Sequence, residues 1–279
     1  MKKIFLAVFA VGLLLVTAKS EAQINPDVKL GWKLGSQAYT FKNFTFFEAV
    51  DKIKSCGLSF VEAFPGQKLG GGLEGTMDYK MPIEIRQQIL AKLKEKGVKM
   101  VAFGVVGANN EEDWKALFDF AKGMGIDNIT SEPDEKDIPL LSKLCDEYKV
   151  NIAIHDHPKP SHYWSPEIVL NAIKGQSSRV GACADIGHWV RSGLDPVECL
   201  QKLAGHVKGL HFKDLNEKSP DAHDVHWGTG ISNIPAVMQE LKNQGFKGVI
   251  SAEYEYNWDN NAPDVKASAE NFRKMAKKL

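Results

Sequence analysis

Short β-branched runs alternate with longer amphipathic stretches along most of the chain. In the longer stretches, apolar residues such as Ile138, Leu141 and Leu144 recur at the three- and four-residue spacing of a helix with one buried face. The pattern predicts eight strand–helix pairs. The predicted strands are Leu34–Tyr39, Leu58–Ala63, Lys99–Val105, Ile126–Thr130, Val150–Ile154, Arg179–Ala184, Val207–Phe212 and Gly248–Ala252.

Glycine marks the ends of several predicted helices, in the segments KSCG, KEKG, KGMG and KNQG. In this position glycine adopts the left-handed conformation that ends a helix. Eight units of about 30 residues each, with no linker between them, predict an α/β fold, namely a closed (β/α)8 TIM barrel with outer helices. An open doubly wound sheet is the alternative. It usually has a glycine-rich phosphate turn after its first strand, where this chain has SQAYTF.

The first 22 residues depart from this pattern. Two lysines precede an uncharged run from Ile4 to Val16, and a polar stretch follows up to Ala22. That order is typical of a cleaved secretory signal peptide, and the run is shorter than the about 18 apolar residues that cross a membrane. We therefore expect a signal peptide over 1–22 and a single barrel domain over 23–279. We also expect export, most simply to the periplasm, and no membrane association after cleavage.

Charge and cysteine content exclude several classes of protein. Removal of residues 1–22 changes 35 basic and 35 acidic residues to 32 and 34, so the mature chain is nearly neutral. Such a chain has no bulk attraction for nucleic acid, and we expect no nucleic-acid partner. The four cysteines include no CxxC pair, which favours buried free thiols over a zinc site or a disulfide scaffold. The sequence leaves the oligomeric state open, a homo-oligomer included.

The candidate chemistry lies at the carboxyl ends of the predicted strands. In a TIM barrel these ends meet around the axis, and the two-residue period of a strand decides which side chains point inward. Four inward residues from four different strands form a ring: Glu132, Asp185, His211 and Glu253. Taken singly, each is more often a helix cap, a solvated residue or a hydrogen-bonded structural group than a ligand.

The ring as a whole predicts a metal site. Three carboxylates placed together without a cation would repel one another and resist ionisation. A divalent ion removes that conflict, so we expect one divalent metal ion bound by Glu132, Asp185, His211 and Glu253. Carboxylate oxygens with one imidazole favour Mn²⁺, with Mg²⁺, Co²⁺ or Zn²⁺ as alternatives. Cys183 is expected deeper on the same inward row and is not predicted to be a ligand.

An ordered set of segments resembles the xylose isomerase-like barrel superfamily, specifically its sugar phosphate isomerase/epimerase group. The segments are NITSEP, IAIHDHP, CADIGHW, LHFKD, DVHWGTG and GVISAEYE, and the resemblance covers nearly all of residues 23–279. In similar ketose epimerases, a Glu, Asp, His and Glu at the ends of strands four, six, seven and eight bind one divalent ion. By motif these are Glu132, Asp185, His211 and Glu253. The resemblance also implies that the two glutamates move the proton and that His188 contacts substrate oxygens.

The expected activity is that of a metal-dependent isomerase or epimerase. Removal of a proton beside a carbonyl gives an enediolate, whose charge a divalent ion stabilises. Glu132 and Glu253, on strands four and eight, would face each other across an eight-stranded ring. One of them can then remove a proton while the other returns one to the opposite face of the carbon.

Further residues around the predicted mouth are candidates for substrate binding, because flat aromatic faces pack on sugar C–H groups while polar groups bind hydroxyls. They are His188, His155, Glu62, Lys213, His226, Trp164 and Trp189. Export and the few cations near the rim disfavour a phosphorylated substrate. The expected partner is a small unphosphorylated sugar or keto-sugar.

Other functions stay open within the same fold. The enolate could instead expel a leaving group, giving a lyase, dehydratase or hydrolase that acts on 3-keto-glycosides or inosose-like substrates. A non-catalytic sugar-binding barrel is less expected, because all four predicted ligands are present. The three-zinc apurinic endonuclease branch shares the Asp185/His188 spacing. That branch also uses histidines from early strands, where this chain has VEAFPG and AFGVVG.

Overall fold

The computed structural model describes residues 24–279, which form a closed barrel of eight parallel strands. Numbered along the chain, β1 to β8 are Lys33–Gln37, Phe60–Ala63, Lys99–Phe103, Asn128–Ser131, Asn151–His155, Val180–Asp185, Val207–Phe212 and Val249–Ala252. Each strand pairs in parallel with the next, and β8 closes the barrel against β1. The predicted (β/α)8 fold is confirmed, and each predicted strand overlaps an observed one. The predicted signal peptide, residues 1–22, lies outside the described residues.

The outer helices lie between the strands, as the amphipathic pattern predicts. Their bounds are Phe46–Ser55, Ile83–Lys96, Glu111–Met124, Ile138–Tyr148, Pro166–Ala172, Ile186–Arg191, Pro196–Lys202, Ile234–Asn243 and Ala262–Ala276, with Pro26–Leu30 before β1 and 3-10 helices at Ala38–Phe41 and Glu135–Asp137. Gly97 and Gly125 end two of these helices with φ of 64° and 68°, which confirms the predicted glycine caps. Within residues 24–279, no helix is long and apolar enough to cross a membrane.

The hydrophobic core lies between the barrel and the helices. Strand residues that point away from the axis, such as Leu34, Ile152 and Phe212, are buried in one cluster with helix residues such as Ile53 and Leu144. Burial of this apolar surface is the main driving force for the fold. The side chains on the other face of each strand point into the barrel interior.

The four cysteines are free and buried, as the sequence predicts. Burial raises the pKa of both Cys145 and Cys183 to about 12. These thiols therefore stay protonated at neutral pH. A protonated thiol is a poor metal ligand and a poor nucleophile, so neither side chain competes with the carboxylates for a metal ion.

Inside the barrel, polar side chains hydrogen-bond across the axis. The Thr130 hydroxyl donates to Glu62 Oε1 at 2.6 Å, and the Ser251 hydroxyl donates to Glu62 Oε2 at 2.7 Å. These contacts join β2, β4 and β8. Thr130 and Ser251 lie two residues before Glu132 and Glu253, so the predicted inward faces of β4 and β8 are confirmed. The polar interior continues upward to the carboxyl ends of the strands.

A small hairpin follows β2 and covers one outer helix. Its antiparallel strands are Lys68–Gly70 and Leu73–Thr76. Gly70 has φ of 66°, and a Cβ on it would lie 2.4 Å from Thr45 Oγ1. Glycine is therefore required for the hairpin to pack against the start of helix Phe46–Ser55.

The carboxylate of Asp214 organises the long segment that follows β7. Its Oδ2 accepts the backbone N–H groups of Gly228 and Gly230 at 2.8 and 2.9 Å, and its Oδ1 accepts that of Ser232 at 3.0 Å. Asp214 is fully buried. The aspartate of the LHFKD segment is therefore the structural centre of the loop that contains DVHWGTG.

Replacement of Asp214 by alanine should destabilise the protein by about 3 kcal/mol, because three backbone N–H groups lose their acceptor at about 1 kcal/mol each. Urea unfolding at equilibrium measures this loss. Asp214→Asn keeps one carbonyl acceptor and should lose less. Wild-type stability in Asp214→Ala would contradict the structural role of this carboxylate.

Candidate metal and active site

Asp185 lies at the centre of a buried polar cluster at the carboxyl end of the barrel. It is the last residue of β6 and caps the following helix, where its Oδ1 accepts the N–H of His188 at 2.9 Å. Its Oδ2 lies 3.5 Å from His188 Nε2, 3.7 Å from His155 Nε2 and 3.9 Å from His211 Nδ1. Three imidazoles from different parts of the barrel thus converge on one carboxylate oxygen.

Lys213 places its ammonium in the same cluster. Its side chain is fully buried, and Nζ donates to Asp185 Oδ2 and to Glu253 Oε2. Gly187 provides the room, because a Cβ there would lie 2.6 Å from Lys213 Cβ. Burial lowers the pKa of Lys213, but Asp185 and Glu253 raise it well above its ordinary value. The ammonium therefore stays charged and balances the two carboxylates.

Both carboxylates that contact Lys213 are ionised. Burial raises the pKa of Asp185, whereas His188 and Lys213 lower it to well below its usual range. The pKa of His188 is itself lowered by burial, so Lys213 is the partner that carries the charge. Glu253 follows β8 and lies 2.9 Å from His211 Nδ1. Burial raises its pKa, but His211 and Lys213 outweigh burial and lower it.

Glu132 is joined to this cluster through a histidine ring. Its Oε1 lies 3.1 Å from His155 Nδ1 and also contacts His157 Nδ1. Burial raises the pKa of Glu132, but these two hydrogen bonds lower it to about 2. The other ring nitrogen of His155 faces Asp185, so this imidazole separates the two carboxylates. As predicted, the strands before Glu132 and Glu253 lie opposite each other in the barrel.

Among residues 24–279, two groups of side chains could hold a metal ion. Within each group, one ligand atom from every residue lies within 4.8 Å of the others. The groups are His155, Asp185, His188 and Glu253, and Glu132, His155 and His157. The first group shares Asp185 and Glu253 with the ligand set predicted from the sequence. His155 Nε2 is buried and has no hydrogen-bond partner among residues 24–279, as expected for a nitrogen available to a metal.

A cavity of about 240 Å³ opens beside the cluster. Its wall includes Gln37, Tyr39, Phe64, His155, His157, Glu253 and Glu255. His155 and Glu253 belong both to this wall and to the first candidate metal group. A molecule in the cavity can therefore reach side chains of the candidate metal group directly. We call this cavity the inner cavity.

The remaining predicted substrate-binding residues lie at different depths. His188 is buried at the cluster, where Arg191 Nη1 lies 3.2 Å from its Nδ1. Glu62 is buried deeper in the barrel, 3.1 Å from His211 Nε2. Burial raises the pKa of Glu62, but the nearby charge of His211 and hydrogen bonds from Thr130 and Ser251 lower it. Glu62 is therefore linked to the cluster through the ring of His211.

Three other predicted substrate-binding residues lie away from the inner cavity wall. Trp189 is 1% exposed and packs in the hydrophobic core. His226 Nε2 lies 2.9 Å from Asp264 Oδ1, on the last helix. The ring of Trp164 is half-buried and has Lys159 Nζ 3.9 Å from its centroid. In the structure, these three side chains contact other side chains of the protein. Substrate binding by these three residues stays a prediction.

The inner cavity also has wall residues that the sequence prediction omitted. His157 and Glu255 share the inward faces of His155 and Glu253, so the two-residue period was the signal for them. Tyr39 belongs to SQAYTF, directly after β1. Tyr39 lies in a short 3-10 helix, where the two-residue period of a strand does not apply. Only the folded structure therefore shows that it belongs to the cavity wall.

The sequence matches the model of a known protein family over most of its length. The family is described as a xylose isomerase-like TIM barrel, and the match covers residues 50–275. This chain belongs to the xylose isomerase-like TIM barrel family. The resemblance inferred from the ordered segments is thereby confirmed.

Individual proteins that are similar to the chain differ in the reactions that their names give. An inosose dehydratase from Lacticaseibacillus casei is 21% identical over 260 residues, covering 81% of this chain and 87% of that protein. A D-tagatose 3-epimerase-like protein has a solved structure that is 17% identical with a TM-score of 0.70, covering 88% of this chain and 98% of that chain. The printed names of these two proteins thus differ, one a dehydratase and the other an epimerase-like protein.

A higher sequence identity is found with a solved structure of an uncharacterised protein. This protein, from Parabacteroides distasonis ATCC 8503, is 36% identical with a TM-score of 0.73, covering 88% of this chain and 99% of that chain. Two further solved structures of this fold contain a metal. One is an IOLI protein with zinc, 17% identical with a TM-score of 0.64, covering 88% of this chain and 98% of that chain. The other is a protein from Mycobacterium smegmatis with magnesium, 12% identical with a TM-score of 0.70, covering 88% of this chain and 97% of that chain.

Proposed function

We propose that this protein is a divalent-metal-dependent enzyme that removes a proton beside the carbonyl of an unphosphorylated sugar or keto-sugar. The observation that carries the proposal is the buried cluster around Asp185, which borders a cavity at the carboxyl end of the barrel. Catalytic groups of TIM-barrel enzymes collect at this end. The main proposed outcome is isomerisation or epimerisation through an enediolate.

The side chains of the cluster suit a divalent ion. Asp185 and Glu253 are ionised, and buried imidazole nitrogens surround them, so the donor set is one of nitrogen and oxygen. We propose the ligand set predicted from the sequence, Glu132, Asp185, His211 and Glu253. The support is that Asp185 and Glu253 lie in one group of side chains close enough to hold an ion. Mn²⁺ is the first candidate, and the zinc and magnesium in similar structures keep both as alternatives. A divalent ion held there would supply a Lewis acid that stabilises the negative charge of the enediolate.

Proton transfer is assigned to the two glutamates. Glu253 lines the inner cavity and is ionised, so its carboxylate can accept a proton from the substrate carbon. Glu132 is the proposed second acid–base group. Its Oε1 contacts two histidines of the cavity wall, so it delivers a proton either directly or through His157, which it orients.

The fate of the enediolate decides the reaction class. Return of a proton to the opposite face gives an epimer, and expulsion of a leaving group gives the alternative, a lyase, dehydratase or hydrolase. Similarity to an inosose dehydratase supports the alternative, and similarity to an epimerase-like protein supports the main proposal. A non-catalytic sugar-binding barrel is the least supported function, because ionised carboxylates border the cavity.

The deciding experiment is a screen of free sugars, keto-sugars and 3-keto-glycosides with Mn²⁺ in deuterated water, followed by NMR. Deuterium exchange without elimination identifies an isomerase or epimerase, and loss of a leaving group identifies a lyase or hydrolase. Purified protein that contains no stoichiometric divalent ion, and that a chelator does not affect, would contradict the enzyme proposal.

We also infer that the protein is exported and acts on sugars outside the cytoplasm. The support is the sequence pattern of residues 1–22, typical of a signal peptide. Mass spectrometry of protein from the native host should find a mature chain that begins at Gln23. An intact amino terminus at Met1 would contradict export by cleavage.

Replacement of Lys213 by methionine should tighten metal binding by about tenfold or more, because its charged ammonium competes for the same two carboxylates. The metal-free variant should be less stable, since two buried carboxylates lose their counterion. Titration calorimetry with Mn²⁺ and thermal unfolding with and without Mn²⁺ measure both effects. Bound metal should therefore stabilise the variant more than wild type.

A matched control for Lys213 is Lys208→Met. Lys208 is a half-buried lysine at the start of the same strand. Its replacement should leave the affinity for Mn²⁺ unchanged. Weaker Mn²⁺ binding by Lys213→Met than by wild type would show that the ammonium supports the metal site instead of competing for it.

A further inference from the structure

A second cavity of about 420 Å³ adjoins the inner cavity at the mouth of the barrel. We call it the outer chamber, and its chemically distinctive wall residues are Tyr39, Lys42, Arg191, Asp221, Glu255 and Trp258. Tyr39 and Glu255 belong to the walls of both cavities. A ligand can therefore extend from the metal-ligating cluster into the outer chamber past these two side chains.

The sizes of the two cavities indicate a ligand of two units. The inner cavity, at about 240 Å³, is smaller than the about 300–1,000 Å³ that is typical of small-molecule sites. The outer chamber alone falls in that range. If one unit of the ligand lies in the inner cavity beside the cluster, the larger outer chamber therefore has room for a second unit.

An aromatic wall runs through both cavities. Tyr39 packs edge-on against Phe64 of the inner cavity, with ring centroids 5.3 Å apart, and against Trp258 of the outer chamber at 5.7 Å. Lys42 Nζ lies 3.6 Å from the centroid of the Trp258 ring and helps to hold it. A continuous aromatic wall suits a ligand with apolar ring faces in both of its units.

The charges of the outer chamber favour an uncharged second unit. Its cations Lys42 and Arg191 are balanced by the carboxylates of Asp221 and Glu255. Arg191 is already occupied, because Nη1 donates to Glu255 Oε2 at 3.1 Å and Nη2 donates to the Ala222 carbonyl at 3.1 Å. The chamber thus offers hydrogen-bonding groups for hydroxyls without the excess positive charge that a phosphate needs.

We propose that the substrate is a neutral glycoside of two sugar rings. The reacting ring lies in the inner cavity beside the cluster, and the second ring lies in the outer chamber against Tyr39 and Trp258. The reaction of the first ring rests on the proposed function. Binding of the second ring depends on the chamber wall alone, so it can be measured without turnover.

The test compares binding of glucose with binding of cellobiose, maltose, lactose and trehalose to metal-free protein, by saturation-transfer NMR and titration calorimetry. At least one disaccharide should bind about tenfold more tightly than glucose, the effect expected from one additional aromatic–sugar contact. Trp258→Ala should remove most of this difference, because it deletes the aromatic face against which the second ring lies. Asp221→Ala, at an exposed position, gives a second variant that keeps the fold.

The matched control is Phe44→Ala. Phe44 is also a half-buried aromatic residue with a lysine over its ring, Lys52 Nζ at 3.8 Å, and it is not part of either cavity wall. This variant should keep the wild-type preference for the disaccharide.

Three results would overturn the proposal: equal affinity for glucose and all four disaccharides, no detectable binding of any disaccharide, or an unchanged preference in both Trp258→Ala and Asp221→Ala. Failure of the proposed function looks different. It would appear as absent metal-dependent deuterium exchange, whatever the binding preference. Exchange on single sugars with no preference for disaccharides would instead reject the outer chamber alone.

Discussion

Replacing Asp185 by asparagine is expected to reduce the affinity for Mn²⁺ by at least about 100-fold, because loss of a charged ligand should cost more than the about 10–100-fold lost with an outer-shell partner. Asp185 is the residue on which the imidazoles of the cluster converge. It belongs both to the ligand set predicted from the sequence and to a group of side chains close enough to hold a metal ion. Metal analysis of purified protein and titration calorimetry with Mn²⁺ measure the loss. Activity should fall with metal content.

Asp156→Asn is the matched control for this variant. Asp156 is also fully buried, and its Oδ1 accepts the backbone N–H of Asp185 at 2.9 Å. Burial and the charge of Asp185 raise its pKa well above the usual range. Asparagine keeps the oxygen that accepts this N–H, and metal affinity should change by less than about tenfold. Equal losses in the two variants would show that packing, and not ligation, is responsible.

Glu253→Gln should reduce solvent deuterium exchange at the substrate carbon by about 10³-fold, within the range attributed to acid–base groups. Glutamine preserves the shape of the side chain but cannot accept the proton. The rate of exchange, followed by NMR with saturating Mn²⁺, separates this effect from loss of metal. Wild-type exchange would refute the assignment of Glu253 as the base.

The same measurement distinguishes the two proton routes of Glu132. If Glu132 acts directly, Glu132→Gln should lose exchange while His157→Gln keeps most of it. If the proton passes through His157, both variants should lose it alike. Glu135→Gln is the control. Glu135 Oε1 lies 2.8 Å from His162 Nε2, a similar pair, and neither residue belongs to the wall of the inner cavity. Unchanged exchange in Glu132→Gln would refute the two-carboxylate scheme.

The fold was predictable because its information is local and repeated. Helical spacing, β-branched runs and glycine caps such as Gly97 and Gly125 each report the conformation of a few neighbouring residues. Strand alternation places Thr130 and Ser251 on the same inward faces as Glu132 and Glu253, and both hydroxyls do donate to Glu62 inside the barrel.

Positions beyond the last strand residue were harder to predict, because alternation ends with the strand. The structure links Glu132 to Asp185 through the ring of His155, and it pairs His226 with Asp264 on the last helix. Trp189, the fourth residue of helix Ile186–Arg191, packs in the hydrophobic core. Each of these outcomes depends on side-chain rotation and on partners distant in sequence.

By itself, the sequence determined the eight-stranded barrel, the end of it that carries the polar ring, and the membership of Asp185, His211 and Glu253 in one cluster. Period and chain order suffice for these features. Only the tertiary structure decided that Lys213 neutralises two carboxylates of that cluster, and that Tyr39 and Glu255 join two cavities. The reason is physical: charge balance and cavity shape depend on side chains from all around the barrel, so no single segment contains them.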